Sequence, residues 1–196
     1  MRVARVAAAV AVLGALGGMV AACAPAKKRV APAPLIADED RLEWARGEPT
    51  FVVIRKACRT LDVYRYGQRI RSYPAVFGDG GTQERKLYAG DHRTPTGLYM
   101  IIAEHPHERW GYFFLLDYPN PQDASRYRAA LADGMVPVYG DGPAGVGGAV
   151  GIHGTDKPWL NRERVDWTWG CISLENDAIA EFASMVWVGT PVLIQD

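Results

Sequence analysis

A mostly β domain, closed as a sandwich or barrel and carrying one or two short helices, is the fold class this sequence predicts. Three observations predict it: short runs of β-branched and aromatic residues, glycine-marked turns between them, and few stretches with helical spacing. Residues 50–54 form a continuous β-branched and aromatic run, read as a buried strand, and residues 59–66 alternate with Leu61 and Val63 on one face. Tyr66-Gly67-Gln68 marks a hairpin turn from which residues 69–77 return. Residues 78–81 then break the chain with three glycines and an aspartate. Thr94-Pro95-Thr96-Gly97 must run extended before it turns, because a residue preceding proline is pushed out of the helical region. Residues 98–103 and 111–117 read as two further strands, and the small apolar run 148–152 as a buried strand with His153 at its end. One helix is expected over residues 123–132, with Ala124, Tyr127, Arg128 and Leu131 at helical spacing and a stop at Gly134. A second is expected over residues 176–188, capped by Asn176, with Ile179, Phe182, Ala183 and Val186 as its apolar stripe and Gly189 as its stop. Residues 191–195 close the sheet as the last strand.

The whole chain has 196 residues, 48% of them hydrophobic, which is enough for one core and a tail. Lys plus Arg equals Asp plus Glu at 22 each, so bulk charge gives no argument for nucleic acid as a partner. Residues 1–22 read as an export signal: Arg2 and Arg5 precede a small, apolar stretch that is marginal in length for spanning a bilayer. Val20-Ala21-Ala22-Cys23 is similar to a bacterial lipobox, in which Cys23 is lipidated and becomes the mature N-terminus. Each buried CH₂ of the added chains would contribute about 0.8 kcal/mol of membrane affinity. Ala24 in the next position implies a lipoprotein of the outer membrane, facing the periplasm. Cleavage near Ala24 or Ala26, giving a soluble periplasmic protein, is the alternative. Residues 23–48 read as an Ala/Pro-rich tether, with a short helical turn over 38–47, and residues 49–196 as the domain. Cys58 is expected as a lone thiol, although a disulfide with Cys171, which would abolish activity, is conceivable in an exported protein.

The chemistry concentrates in residues 151–176. His153 stands at a strand end, and Cys171 follows Gly170, whose missing side chain permits a turn that aims the sulfur and consecutive backbone N–H groups at one point. A thiol is nucleophilic as the thiolate, so a histidine that takes or balances its proton makes attack practical near neutral pH. Backbone N–H groups around Trp169, Gly170 and Cys171 are the candidate oxyanion donors; losing one such donor typically costs about 3 kcal/mol of transition-state stabilisation.

Ile152-His153-Gly154, followed by Asp166-Trp167-Thr168-Trp169-Gly170-Cys171-Ile172, resembles the signature of the L,D-transpeptidase catalytic domain, the YkuD-like family. Gly90-Asp91-His92-Arg93-Thr94-Pro95-Thr96-Gly97-Leu98-Tyr99 is similar to a second family segment, and Tyr118-Pro119-Asn120 with Asp123 to a third. The resemblance covers about residues 50–194. It implies the β fold of that family, no cofactor, and peptidoglycan stem peptides as substrate. It also implies a Cys171 thioester, His153 as the base, and the Gly154 carbonyl as the group that orients the imidazole. Tyr118, Thr168 and Trp167 become candidate substrate contacts. Trp169 and Ser173 depart from the pattern, since many members carry histidine or arginine at the first and arginine at the second.

Other constellations have plainer readings. Glu104-His105-Pro106-His107-Glu108, with Asp91, His92 and His153, invites a metal, but the intervening proline and the gap to His153 make it a solvated loop and no metal site is expected. The glycine-rich 134–148 lacks the Lys-Ser/Thr of a phosphate-cradling loop and reads as a flexible segment at the rim of the site. Trp159, Trp167 and Trp169 beside Arg162 and Arg164 suit either a peptide-binding rim or the core. The rivals to a crosslinking acyltransferase are an L,D-carboxypeptidase or a hydrolase that releases wall-attached lipoprotein, a non-catalytic wall-binding lipoprotein, and a metal-dependent hydrolase.

Overall fold

The computed structural model describes residues 47–82 and 85–196; the export signal, Cys23, nearly all of the tether and the turn expected before residue 47 lie outside the described residues. The elements run β1 (Thr50–Arg55), β2 (Thr60–Arg65), β3 (Gln68–Pro74), β4 (Gly97–His107), β5 (Gly111–Leu116), α1 (Pro121–Ala132), β6 (Val138–Tyr139), β7 (Gly142–Pro143), β8 (Gly151–His153), α2 (Pro158–Arg162), β9 (Ile172–Ser173), α3 (Asn176–Ala183) and β10 (Pro191–Gln195). The main sheet has eight strands in the order β3-β2-β1-β10-β4-β5-β8-β9, and β6 and β7 form a separate small hairpin. Neighbours are antiparallel except β1 with β10 and β8 with β9.

The sheet closes on itself. Beyond β3 the chain stays extended and crosses to the far edge, where the Val76 N–H donates to Ser173 O at 3.0 Å and the Ser173 N–H donates to Val76 O at 2.9 Å. A second bridge joins Gly78 to Thr168. The short edge strand β9 is thereby flanked by β8 on one side and by residues 76–78 on the other. The enclosed core is one cluster in which Val52, Leu61, Ile101, Phe114, Ile152 and Ile172 are fully buried. Helix α3 covers it with Ile179 and Phe182, three residues apart on one face, and the Phe182 ring meets Phe114 edge-on at 5.2 Å.

The mostly β expectation holds, and the differences have local causes. There are three short helices among the described residues, not one or two, because Pro158 starts a five-residue turn of helix inside the loop between His153 and Cys171. Helix α1 begins earlier than expected, since Asn120 caps it: its Oδ1 accepts from the Gln122 and Asp123 N–H groups, and Asp123 returns a bond to the Asn120 N–H. Helix α3 ends at Ala183 and its cap is Glu175; the Asn176 side chain is instead spent on Thr155, accepting from its N–H at 2.8 Å and donating to its carbonyl at 3.0 Å. Strand β4 continues through His107, so the His-Pro-His stretch is the arm of a hairpin rather than a loop. Strand β10 lies between β1 and β4 in the middle of the sheet.

An ion pair ties the approach to Cys171 to this frame. Arg59 holds both Asp166 oxygens, at 2.5 and 3.1 Å, and donates to Arg164 O at 2.6 Å. Asp166 Oδ1 also accepts from the Phe77 N–H at 2.8 Å, and Phe77 O takes the N–H groups of Trp167 and Thr168. Asp166→Ala therefore strands the buried Phe77 N–H, and a loss of about 1–3 kcal/mol of stability is expected by urea denaturation.

Candidate active site

His153 is the last residue of β8 and is 1% exposed. Its Nδ1 donates to Gly154 O at 2.6 Å, which fixes the tautomer and leaves Nε2 as the acceptor. Trp110 stacks on the imidazole at 4.2 Å, Phe113 lies parallel to it at 5.9 Å, and Trp167 meets it edge-on at 5.9 Å. Burial in this aromatic cage, only partly offset by the bond to Gly154, lowers the imidazole to about 4 from an ordinary 6.5. A side chain on Gly154 would strike Trp110 O, 2.2 Å from the added Cβ, so the close pass of the two segments requires glycine there.

Register sets the segment that follows Cys171 alongside β8. In the parallel pair β8–β9, Ile152 faces Ile172 and His153 faces Ser173. Carried back one residue, this sets Cys171 level with Gly151, so Gly151, His153, Cys171 and Ser173 share one face. Cys171 follows the turn expected at Gly170, whose φ is +124° and where a Cβ would lie 2.8 Å from Arg93 O. Thr168 shapes that turn: its Oγ1 donates to Cys171 O at 2.7 Å and accepts from the Gly170 N–H at 3.2 Å. The Gly170 N–H is thus engaged, which leaves Trp169 and Cys171 as the candidate oxyanion donors. The free, half-buried thiol donates to Ala149 O at 3.6 Å, not to the imidazole. Burial pushes the Cys171 thiol up, while the Gly151 N–H and the charge of Lys86 pull it back in part. The resting pair is consequently a neutral thiol and a neutral imidazole.

Sequence reasoning missed the buried chain that holds the Gly154 carbonyl. Trp167 Nε1 donates to Asn161 Oδ1 at 2.9 Å, Asn161 Nδ2 donates to Ser173 Oγ at 3.1 Å, and the Ser173 hydroxyl donates to Gly154 O at 3.0 Å. Gly154 O therefore accepts from both Ser173 and His153. Ser173, singled out as a departure, occupies the second donor position on the group that orients the base. Asn161 carried no signal in the sequence, and neither did Trp110, whose Nε1 donates to Asp156 Oδ1 at 3.1 Å.

The other candidates separate by exposure. Tyr118 is buried with its hydroxyl on Val146 O at 3.0 Å, and Thr168 is 3% exposed, so both build the wall of the site rather than its open face. The Trp167 ring lies under the Lys157 ammonium at 4.6 Å. Trp169 is 78% exposed and stacks on His92 at 5.5 Å. The glycine-rich segment is tied down by Gly145 O, which takes the Ala89 N–H at 2.7 Å, and by Val146 O, and Ala149 just after it supplies the thiol's acceptor. His105 stacks on Phe113 and His107 on Trp110, and among the described residues no three His, Cys, Asp or Glu side chains are grouped to hold a metal. Cys58 is disulfide-bonded, which corrects its reading as a lone thiol; its partner is not Cys171, whose thiol is free.

The family model of the L,D-transpeptidase catalytic domain, YkuD, matches residues 49–194. No curated protein matches the chain. Among solved structures, Bd1075 of Bdellovibrio bacteriovorus is similar at 24% identity and a TM-score of 0.53, over 76% of this chain and 48% of that one. The helical cell shape determining protein Pgp2 of Campylobacter jejuni is similar at 22% identity and a TM-score of 0.52, over 75% of this chain and 47% of that one. An L,D-transpeptidase from Mycobacterium smegmatis is 18% identical with a TM-score of 0.49, over 76% of this chain and 59% of that one. The first two likenesses are of fold alone, and the chain spans about half the length of each of those two proteins.

The cage around His153 has a measurable outcome. Because folding lowers this imidazole, the unfolded chain binds the proton first, and stability falls as pH drops from about 6.5 towards 4 but is unaffected above. NMR titration is expected to place the His153 midpoint near 4. The stability lost between pH 7 and 4.5 should exceed that of His153→Gln by about 2–3 kcal/mol in urea denaturation.

Proposed function

We propose, from the premise that the chain belongs to the L,D-transpeptidase catalytic domain family, that it is a cysteine acyltransferase acting on peptidoglycan stem peptides. The observation that carries this reading is the pairing of His153 and Cys171 on one face of adjacent parallel strands, with the imidazole held at Nδ1 by Gly154 O and Nε2 left to accept.

The starting state is neutral, so the proton moves as the sulfur attacks. The thiol leaves Ala149 O, gives its proton to His153 Nε2, and the sulfur adds to the carbonyl between an L-centre and a D-residue of the stem. The imidazole, poor at keeping a proton in its apolar cage, returns it to the departing amine, and a thioester with Cys171 remains. An incoming amine on a neighbouring stem resolves the thioester to a crosslink, whereas water gives L,D-carboxypeptidase activity or release of a wall-attached lipoprotein. The N–H groups of Trp169 and Cys171 face the developing oxyanion. The exposed Trp169 ring offers the stem an apolar edge. Wall remodelling is the role we assign, without cofactor or metal.

Two measurements test this. A carbapenem is expected to leave a stoichiometric adduct on Cys171 that Cys171→Ser lacks; no adduct would favour a wall-binding protein without catalysis. Defined muropeptides are then expected to give crosslinked products, and product masses separate crosslinking from hydrolysis and lipoprotein release. Loss of activity with EDTA but not with a thiol alkylator would instead favour the metal-dependent hydrolase.

We place the protein in the periplasm on the strength of the basic and apolar start; a bonded Cys58 and a free Cys171 leave Cys23 as the chain's other cysteine, which favours the soluble form over a lipid anchor there. The intact mass of the exported protein is expected to carry no acyl chains. A mass with acyl chains on Cys23 would overturn the soluble form, because a lipidated sulfur has no thiol to oxidise.

A further inference from the structure

The ion pair between Lys86 and Asp91 lies outside the roles described above. Their side chains are 4% and 1% exposed, and Lys86 Nζ donates to Asp91 Oδ1 at 2.6 Å and to Tyr88 O at 3.1 Å. Nζ sits 6.0 Å from the centre of the Tyr118 ring and 3.9 Å from the point that a Cβ on Gly170 would occupy. The ammonium is therefore packed against the turn that carries Cys171. Asp91 is saturated on its own side, with Oδ1 also accepting from the Arg93 N–H at 3.0 Å and Oδ2 from the Leu87 and Tyr88 N–H groups at 2.7 and 3.2 Å. Burial pushes the Asp91 carboxyl up, but the bonds from Lys86, Arg93 and Leu87 outweigh it and hold the group below its ordinary range. Taking two charges out of water is costly, and replacing a buried ion pair with apolar residues is often neutral or stabilising. Stability alone is a weak reason for this pair to be here.

We propose that Lys86, clamped by Asp91 and Tyr88, is the fixed positive charge that stabilises negative charge developing on the Cys171 sulfur and on the carbonyl oxygen it attacks. Lys86 neither takes nor gives a proton; the thiol proton still passes to His153. A charge already in place costs no reorganisation as the reaction proceeds, and it acts strongly where water is excluded. The Lys86 charge is among the influences that favour the Cys171 thiolate, against the burial that opposes it. Among the described residues, other titratable groups on the segments near Cys171 include His153 on β8, Arg93 beside Gly170, and His92 with Asp79 across the exposed Trp169. His153 is neutral at rest, and Asp166 is occupied by Arg59.

The catalytic meaning of this inference rests on the reading of Cys171 as nucleophile, but its test reads the sulfur directly. Alkylation of Cys171 by iodoacetamide, followed on the Cys171 peptide by mass spectrometry across pH, gives a midpoint for the thiol. Lys86→Met is expected to raise that midpoint by about one unit, so that alkylation below it slows about tenfold. Lys86→Arg is expected to restore the wild-type midpoint, and thermal melting verifies that each variant is folded. A folded Lys86→Met protein with an unmoved midpoint overturns the proposal. If Lys86→Met does not fold, Asp91→Asn decides: removing the counter-charge is expected to lower the midpoint, and an unchanged or raised one overturns the proposal. The carbapenem adduct on the wild-type protein is read separately, so failure of the acyltransferase reading is distinguishable from failure of the Lys86 assignment.

Discussion

The reciprocal bonds between Val76 and Ser173 are the constraint on which the rest of the structure depends. They convert an open eight-stranded sheet into a closed one, and the seam they make is where the reactive residues sit. A two-residue edge strand would ordinarily expose unpaired N–H and C=O groups and fray. Here β9 is held on both flanks, so the residue just before it can be placed with the precision of a central strand. The Asp166–Arg59 pair and the double acceptance at Phe77 O extend the same seam to the loop that leads into Gly170.

Within that frame the polar groups form a short hierarchy. One carbonyl, that of Gly154, orients the imidazole, and Ser173 and Asn161 orient the carbonyl in turn. Around this chain the environment is aromatic: Trp110, Phe113 and Trp167 exclude water from the base and keep it uncharged. The arrangement differs from a preformed thiolate–imidazolium pair. At rest the sulfur is a thiol bonded to Ala149 O beside an uncharged imidazole. Lys86 reaches the Gly170 turn from the segment before Asp91 and His153 comes from β8, so the two groups are brought to the neighbourhood of Cys171 by different parts of the chain.

Much of the fold was legible because its signals are local. Alternation in residues 59–66 and the turn at Gly67 predict a hairpin whatever the rest of the chain does, and the strands appear where these signals stand. Errors arose where a residue had two possible partners. Asn176 has the chemistry of a helix cap, yet its side chain bonds Thr155, a residue brought to it only by the sheet. The His-Pro-His stretch looks like a loop by composition, but pairing with β5 carries it as strand. At the site, His153, Cys171 and Gly154 were marked by their own chemistry and spacing. Lys86, Asn161 and Trp110 were not, because their meaning comes from three-dimensional neighbours far away in the chain. Tyr118 and Thr168 were marked as substrate contacts, yet the wall they build claims their hydroxyl groups.

The central place of β10 carries a consequence for how this domain comes into being. Hydrogen bonds on one side of β10 hold the β1–β2–β3 meander, and those on the other hold β4, β5 and the reactive edge. During synthesis on the ribosome β1 to β5 are made well before β10, the strand that joins them, so neither half can complete its sheet early. Such a domain stays loose until its last strand has been made, so its folding waits on contacts between segments far apart in the chain.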